Sequence, residues 1–437
     1  MMAGTVRAAR AAARRIVGGR PRLRPRRRPP ARFVALFAVL GPGLIAANAG
    51  NDAGGIATYA SVGAKYGYDL LWMMVLITVS LVVVQEMAAR MGAVTGKGLA
   101  ELIREKYGPR WSLFSTAAVL VANLGICISE FVGIGAALGL AHVPTYASVP
   151  IAAVLIWLLV VRGSYKNAER IFVLMTIPFF AYPIAAILAH PHWGSVGKAV
   201  VDPKIQLNGP YLFLFIATAG TTITPFMQLY VQSAVVDRGI GVDELTAERI
   251  EVTSGSIFAN LVACFIIIAT GATLFVHGHH TVNSAADAAK ALEPFAGRFA
   301  EVLFGIGLLG ASLLACAILP IATSYVVSES LGFEKGLGQS ARQAPVFVGL
   351  ITLMIAVSTI VAVIPGIPVF DLLIGVQVVN GLLLPINLFF IWRLSRNREL
   401  MGEHRNRGLS DVLTAATVLF TSVLSLTLVV VTLTGGS

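Results

Sequence analysis

Charged side chains are scarce in this sequence. Asp, Glu, Lys and Arg make up 13% of its 437 residues, against about 25% in an ordinary soluble domain, while 56% are hydrophobic. The three cysteines each lie in an apolar run, which excludes a disulfide framework and a cysteine-based zinc cage. Walker, GxSxG and HExxH motifs are absent. We therefore expect an integral membrane protein that is not an enzyme and needs no cofactor.

Acidic residues are missing from Met1–Arg32, which contains eleven arginines. The remaining chain has 22 basic and 22 acidic residues, so this tail carries the whole net charge of +11. A nucleic-acid-binding protein would carry its basic residues on a folded face, so no nucleic-acid partner is expected. We expect residues 1–32 to form a disordered cytoplasmic tail against anionic lipid headgroups, with targeting as the less favoured role, and residues 33–437 to form an eleven-helix transmembrane domain.

Eleven stretches are long and apolar enough to cross a bilayer, which needs roughly 20 residues. Every second loop between them is rich in Arg and Lys, which predicts a multi-pass protein of the cell membrane with a cytoplasmic amino terminus and an external carboxyl terminus. The predicted spans are Phe33–Gly63, Leu70–Met91, Trp111–Leu140, Tyr146–Val161, Ile171–Ala189, Gly209–Val236, Ser256–Val276, Ala300–Val327, Val346–Ile364, Phe370–Leu394 and Val412–Leu433.

Two of these spans are interrupted by glycine, proline and polar residues. The first contains Asn48–Gly55 and the sixth contains Ala219–Pro225. Glycine and proline weaken a helix, and unwound backbone at mid-membrane is tolerated only where it is buried in protein or lines a cavity. Because the two spans hold corresponding positions in two five-helix halves, the pattern predicts an all-α transporter of inverted repeats, with its site at the breaks and an eleventh helix outside the repeat.

Asp52 is the only acidic residue in either break. An ionisable residue inside a membrane is costly and functional by default. A carboxylate among free carbonyls forms an oxygen site that suits a hard divalent cation. Asp52 is alternatively a cap of the outer half-helix. We favour the ligand role, because capping does not account for the mid-membrane depth, and one residue is able to do both.

Neutral polar side chains in two other spans are candidate partners of Asp52. Thr221, Thr224 and Gln228 would share one face of a resumed sixth helix. Gln377 and Asn380 lie three residues apart in the tenth span. Hydroxyl and amide oxygens of this kind hold an ion or its waters. The alternative role is hydrogen bonding between packed helices.

We expect mainly structural roles for the other ionisable residues in and near the spans. Glu86 and Arg90 are four residues apart and pair on one helix face, as structural or gating residues. Glu130 is a lone acid in the third span; it is either a proton relay or, as we favour, hydrogen-bonded within the bundle. The segment His277–His280 lies in an outer loop and is expected to be solvated, with metal capture as the less favoured alternative.

Several segments resemble the Nramp family of divalent metal transporters, whose members have a LeuT-like (APC) fold. The similarity extends from Phe33 to about Gly402 and is most specific in the second span and the loop that follows it. The resemblance implies two inverted five-helix repeats with broken helices 1 and 6 and an eleventh helix. The matching segments are Gln85–Ala100, Leu229–Ser233, Gln377–Val379, Leu384–Pro385 and Met401–Glu403.

The family's first-helix motif departs from its usual form. The family has Asp-Pro-Gly-Asn, whereas Asp52–Gly55 reads Asp-Ala-Gly-Gly. The aspartate ligand is kept, and the asparagine ligand is replaced by Gly55. In the third helix the family's aspartate corresponds to Cys127, while its glutamate is kept as Glu130.

The sixth-helix motif Met-Pro-His is also altered. If the prolines correspond, the segment reads Thr224–Phe226, with threonine for the Met ligand and phenylalanine for the His. Aligned from the end of the helix, Pro225 stands for Met and Met227 for His. Either register loses both the Met ligand and the His.

These departures resemble the Nramp-related magnesium transporters, a branch that moves Mg²⁺ and Mn²⁺. Loss of a thioether removes the preference for softer metals, and a smaller residue leaves room for an ion that gives up its waters reluctantly. The resemblance implies import of Mg²⁺, and also of Mn²⁺, without proton coupling. The metal-site residues are then Asp52, the carbonyls near Ala49 and Thr221, the space at Gly55, and Thr224, Gln228 and Gln377.

Three other functions remain as alternatives. The first is a proton-coupled Mn²⁺/Fe²⁺ importer that uses Met227 as its soft ligand. The second is an amino-acid or other organic-solute symporter, although Asp52 would repel a substrate carboxylate. A sensor or enzyme is the least favoured, since either would need a soluble effector domain.

Overall fold

The computed structural model describes residues 51–162, 181–336 and 341–433, and within these ranges every regular element is helical. The predicted tail, the part of the first span before Asn51, which includes Ala49, and half of the fifth span lie outside the described residues. The α-helices are α1 (Ala53–Tyr66), α2 (Leu71–Thr95), α3 (Leu99–Tyr107), α4 (Pro109–Gly139), α5 (Thr145–Arg162), α6 (Ala181–Leu188), α7 (Trp193–Val201), α8 (Gly209–Thr222), α9 (Pro225–Arg238), α10 (Leu245–Thr270), α11 (Ala285–Ala289), α12 (Glu293–Ala296), α13 (Ala300–Leu331), α14 (Pro345–Ala362), α15 (Val369–Ser395), α16 (Arg398–Met401) and α17 (Leu409–Leu433).

Nine helical segments of the described residues are long and apolar enough to cross a membrane. They correspond to nine of the predicted spans, and α1 and α6 are the described parts of the first and fifth. One of the nine, Gly209–Arg238, joins α8 and α9 and is mostly buried, whereas only a small part of α17 is buried. The peripheral position of α17 agrees with an eleventh helix outside the repeat.

Both predicted breaks are helix boundaries. In the first span, α1 begins at Ala53 with Asp52 as its N-cap. In the sixth span, α8 ends at Thr222 and α9 begins at Pro225. Proline lacks the N–H that a continuing helix needs, but it fits the first position of a new helix, where no such bond is made.

The two breaks lie in the middle of the helix bundle. Helix α1 packs against α10, α15, α8 and α4. Two glycines bring α8 and α15 into direct backbone contact: a Cβ atom on Gly220 would lie 2.2 Å from the Gln377 carbonyl oxygen, and one on Gly381 would lie 2.7 Å from the Ile216 carbonyl oxygen. Close approach of this kind is typical of glycine at helix crossings in membranes. The contact brings polar residues of α15 next to both breaks.

Candidate metal centre

The carboxylate of Asp52 is buried, as expected for a ligand, and it also caps a helix. The residue is 1% exposed. Its Oδ1 atom accepts the backbone N–H of Gly55 at 2.5 Å, which satisfies one of the four N–H groups left open at the start of α1. The capping role is therefore real. It orients the carboxylate without using its second oxygen, Oδ2.

Two neutral side chains from other helices reach the same carboxylate. Gln377 of α15 donates from Nε2 to both oxygens of Asp52, at 3.3 Å each. The Thr221 hydroxyl of α8 donates to Oδ1 at 3.4 Å. Three of the predicted site residues are thus brought together from helices that are far apart in sequence.

Asn380 holds the backbone at the second break. Its Nδ2 atom donates to the carbonyl oxygen of Gly220 at 2.7 Å, near the end of α8, where carbonyls lose their partners in the helix. Its Oδ1 atom has no hydrogen-bond partner among the described residues. Asn380 therefore forms a hydrogen bond between helices, which is one of its two predicted roles. Its Oδ1 atom also lies near the break without a partner among the described residues.

Thr224 and Gln228 lie beyond the break, at the start of α9. Both are fully buried, and neither the Thr224 hydroxyl nor either amide atom of Gln228 has a hydrogen-bond partner in the described part of the chain. Because α8 ends at Thr222 and α9 begins at Pro225, Thr221 lies in α8 whereas Thr224 is the N-cap of α9, and the two do not share one continuous helix face. Buried polar groups normally find partners, so these groups are available to a ligand or to its waters.

Phe226 and Met227 follow on α9 and pack in an apolar cluster. Both are 1% exposed, and the cluster includes Ile126, Cys127 and Phe131 of α4. Met227 is therefore a buried member of an apolar cluster.

Glu130 of α4 lies next to the first break. Its Oε2 atom accepts the backbone N–H of Ala53 at 3.1 Å, and the residue is fully buried. Glu130 is thus hydrogen-bonded within the bundle, as favoured from the sequence, and its partner is the first amide of α1.

Glu86 and Arg90 pair as their spacing predicts, at 3.1 Å. Glu86 also binds Arg249 of α10 at 2.6 Å, and Arg90 donates to the carbonyl oxygen of His404 at 2.6 Å. These bonds link α2 to α10 and to the segment before α17. The pair is therefore a structural tie between helices.

The histidines of the segment His277–His280 are separate from this site. The His277 ring contacts the Thr273 carbonyl oxygen at 2.5 Å, and the His280 ring lies 3.3 Å from the Ala64 carbonyl oxygen. Among the described residues, no group of three or more His, Cys, Asp or Glu is arranged to hold a metal. A cation at the breaks would meet the Asp52 carboxylate and the neutral donors around it.

Two residues of this region were missed by the sequence analysis. The Tyr59 hydroxyl of α1 bonds with the Thr222 hydroxyl of α8 at 2.8 Å, and the Asn51 amide donates to the Ala259 carbonyl oxygen of α10 at 3.1 Å. Tyr59 lies two helical turns after Asp52, and that spacing was the available signal. Nothing in the sequence indicated the partner of Asn51.

Comparisons with known proteins identify the family of this chain. Residues 43–431 match the family model Nramp, described as natural resistance-associated macrophage protein-like. A protein of Ralstonia nicotianae named divalent metal cation transporter MntH is 31% identical over 398 residues, which cover 85% of this chain and 86% of the relative. Such names confirm the expectation of a transporter and not an enzyme.

Solved structures with the same fold include two transporters. The Eremococcus coleocola manganese transporter, in complex with an aromatic bis-isothiourea compound, has a TM-score of 0.73 at 19% identity and covers 92% of this chain and 88% of its own. Mhp1, a nucleobase-cation-symport-1 family transporter, has a TM-score of 0.57 at 12% identity, with 90% and 89% covered. The predicted LeuT-like fold is confirmed, and the chain is a multi-pass membrane protein that belongs to the Nramp family.

Proposed function

We propose that this chain imports Mg²⁺, and also Mn²⁺, across the cell membrane into the cytoplasm without coupling to protons. The observation that carries the proposal is the set of donors at the breaks. Asp52 is the one carboxylate, its neighbours are hydroxyl and amide groups, and Thr224 stands where the family has its Met ligand in the register that matches the prolines. Oxygen donors suit hard ions such as Mg²⁺ and Mn²⁺, whereas sulfur favours softer ones.

The buried neutral groups suit an ion that keeps part of its hydration shell. Mg²⁺ dehydrates reluctantly and usually retains several waters in protein sites. The Thr224 hydroxyl and the Gln228 amide are buried without hydrogen-bond partners among the described residues. We infer that they bond to the ion's waters, together with Gln377 and the carbonyls near Ala49 and Thr221. Gly55 contributes by its small size, and Asp52 supplies the charge.

The absence of proton coupling is inferred from the residues that replace the family's titratable ones. The sixth-helix His is replaced by Phe226 or Met227, and neither side chain carries a proton in exchange with solvent. The third-helix aspartate is replaced by Cys127. The membrane potential supplies a driving force instead, because one charge moved through 100 mV gains about 2.3 kcal/mol and a dication gains twice as much.

A second candidate function is a proton-coupled importer of Mn²⁺ and Fe²⁺. The observation in its favour is that the relatives include proteins named MntH and a manganese transporter. This function would use Met227 as a soft ligand. The apolar packing of Met227 counts against such a role.

The proposed orientation has a cytoplasmic amino terminus and an external carboxyl terminus. It is supported by the Arg and Lys of every second loop, including the segment from Arg90 to Arg110 after the second span and the segment from Arg393 to Arg407 before the last. The eleven arginines of residues 1–32 are proposed to bind anionic lipid headgroups on the cytoplasmic side.

A metal-uptake panel tests the proposed function. Purified protein in liposomes is supplied in turn with Mg²⁺, Mn²⁺, Fe²⁺ and Ca²⁺, and entry is followed with ion-sensitive dyes against empty liposomes. Saturable entry of Mg²⁺ and Mn²⁺ is expected. Entry of Mn²⁺ and Fe²⁺ with no entry of Mg²⁺ would favour the second candidate.

A further inference from the structure

The contact between Glu130 and Ala53 has no counterpart in the Asp-Pro-Gly-Asn motif that this chain resembles. Proline has no backbone N–H, whereas Ala53 has one, and it is the first amide of α1. This amide belongs to the four at a helix start that have no partner within the helix. It is buried, so it needs an acceptor, and Glu130 Oε2 accepts it at 3.1 Å.

The surface of α4 around Glu130 is shaped to receive the start of α1. Gly133 lies one turn beyond Glu130, and a Cβ atom on it would lie 2.6 Å from the Ala53 Cβ atom and 2.6 Å from the Ser312 hydroxyl of α13. The absence of a side chain at Gly133 thus leaves room for Ala53 between α4 and α13. The hydrogen bond and this close packing act on the same residue, the one that follows Asp52.

We propose that Glu130 is a positioning residue of the metal site, which holds the first turn of α1 and thereby Asp52 against α4 by accepting the Ala53 amide. The inference rests on the proposed function, since it assigns Asp52 to the cation. Asp52 caps the same turn through Gly55, so a shift of Ala53 displaces both the cap and the carboxylate. Outer-shell partners of this kind typically change metal affinity by about 10–100-fold when they are removed.

A positioning role for Glu130 predicts different results for two replacements of similar size, Glu130→Gln and Glu130→Met. Glu130→Gln keeps a carbonyl oxygen that accepts the Ala53 N–H, so the KM for Mg²⁺ and Mn²⁺ uptake is expected to stay within about threefold of wild type. Glu130→Met removes the acceptor, and the KM is expected to rise at least about tenfold. If Glu130 were a proton relay, Glu130→Gln would instead lose transport, because an amide does not titrate.

The variant Ala53→Pro removes the donor and completes a double-mutant cycle. Proline suits the first position of a helix, and Asp52 already has the extended conformation, with φ −68° and ψ 177°, that a residue before proline prefers. In this background Glu130→Met is expected to change the KM by less than about threefold, since there is no amide left to satisfy. Such a loss of effect measures the coupling between the two residues directly.

The experiment measures uptake KM and Mn²⁺ affinity by calorimetry on the purified full-length protein, with the melting temperature of the metal-free protein recorded for each variant. A wild-type KM in Glu130→Met, loss of transport in Glu130→Gln, or an equal effect of Glu130→Met in both backgrounds would each overturn the inference. If Glu130→Met does not fold, Glu130→Gln and Ala53→Pro/Glu130→Met still decide it, because both are expected to fold and to bind Mn²⁺. A wild-type protein that binds neither ion would refute the proposed function instead.

Discussion

The Gln377 amide nitrogen lies 3.3 Å from each carboxylate oxygen of Asp52, although the two residues are 325 positions apart. This close approach requires glycine at position 54 of α1, since a Cβ atom on Gly54 would lie 2.2 Å from the Gln377 nitrogen. Asn380, which lies on α15 with Gln377, donates to the Gly220 carbonyl oxygen at the other break. Helix α15 therefore links the two breaks, and a movement of α15 would change both halves of the site together.

Replacing Asp52 by asparagine is expected to abolish Mg²⁺ and Mn²⁺ uptake and to leave the fold intact. Asparagine keeps an oxygen that caps α1, whereas the carboxylate charge of Asp52 is lost. The measurement is uptake into liposomes, with the melting temperature of the purified protein as the test of folding. Asp69→Asn is the matched control, because Asp69 is an acid that pairs with Lys204 away from the breaks. Wild-type uptake by a folded Asp52→Asn protein would refute the assignment of the site.

Two glycines of α15 provide a test of the close contact between α8 and α15. Gly381→Ala is expected to destabilise the protein by about 1–3 kcal/mol, because the new Cβ atom would lie 2.7 Å from the Ile216 carbonyl oxygen. Gly375→Ala on the same helix meets no atom within 4 Å, and it is expected to be neutral or to stabilise by up to about 1 kcal/mol. Equal melting temperatures for the two variants would mean that the backbones do not touch.

The pattern of residues predicts the two helix boundaries and the nine spans that the structure describes, because both depend on local properties. Glycine, proline and polar residues inside an apolar run weaken a helix wherever they occur. Thr221 and Thr224 show the limit of this reasoning. Their spacing predicts one shared face, but the helix is interrupted at Ile223 and Thr224, so Thr221 lies in α8 and Thr224 precedes α9.

The contacts that orient the site depend on the packing of distant helices. The Ala53 amide and Glu130 are 77 positions apart, and Asn380 and Gly220 are 160 apart. A lone buried acid or amide indicates that some partner exists, but no spacing within one helix identifies a partner on another. The sequence therefore indicates that these buried polar residues have partners, but it does not identify the partners.

Selectivity is expected to respond to the two positions at which the family motif is altered. The double variant Gly55→Asn/Thr224→Met restores an amide and a thioether, which should raise Mn²⁺ and Fe²⁺ uptake relative to Mg²⁺, by about tenfold or more in the ratio of kcat/KM values. Competition between Mg²⁺ and Mn²⁺ in the uptake assay measures that ratio. Mg²⁺ transport equal to that of the parent would mean that size and softness at these positions do not set selectivity.

A matched single variant separates the two effects. Thr224→Ser keeps a hydroxyl of similar size, so its selectivity is expected to equal that of the parent. If Thr224→Ser shifts the ratio as strongly as Thr224→Met, the effect comes from packing at the start of α9 and not from the sulfur atom.

The most direct test of the central claim is uptake of Mg²⁺ by proteoliposomes under an imposed membrane potential, with a pH dye inside. An inside-negative potential is expected to accelerate entry of the dication, because each charge gains about 2.3 kcal/mol per 100 mV, while internal pH stays equal to that of empty liposomes. The Asp52→Asn protein should give no entry under the same potential. Metal-dependent acidification of the lumen, or Mg²⁺ entry that does not depend on Asp52, would contradict the account.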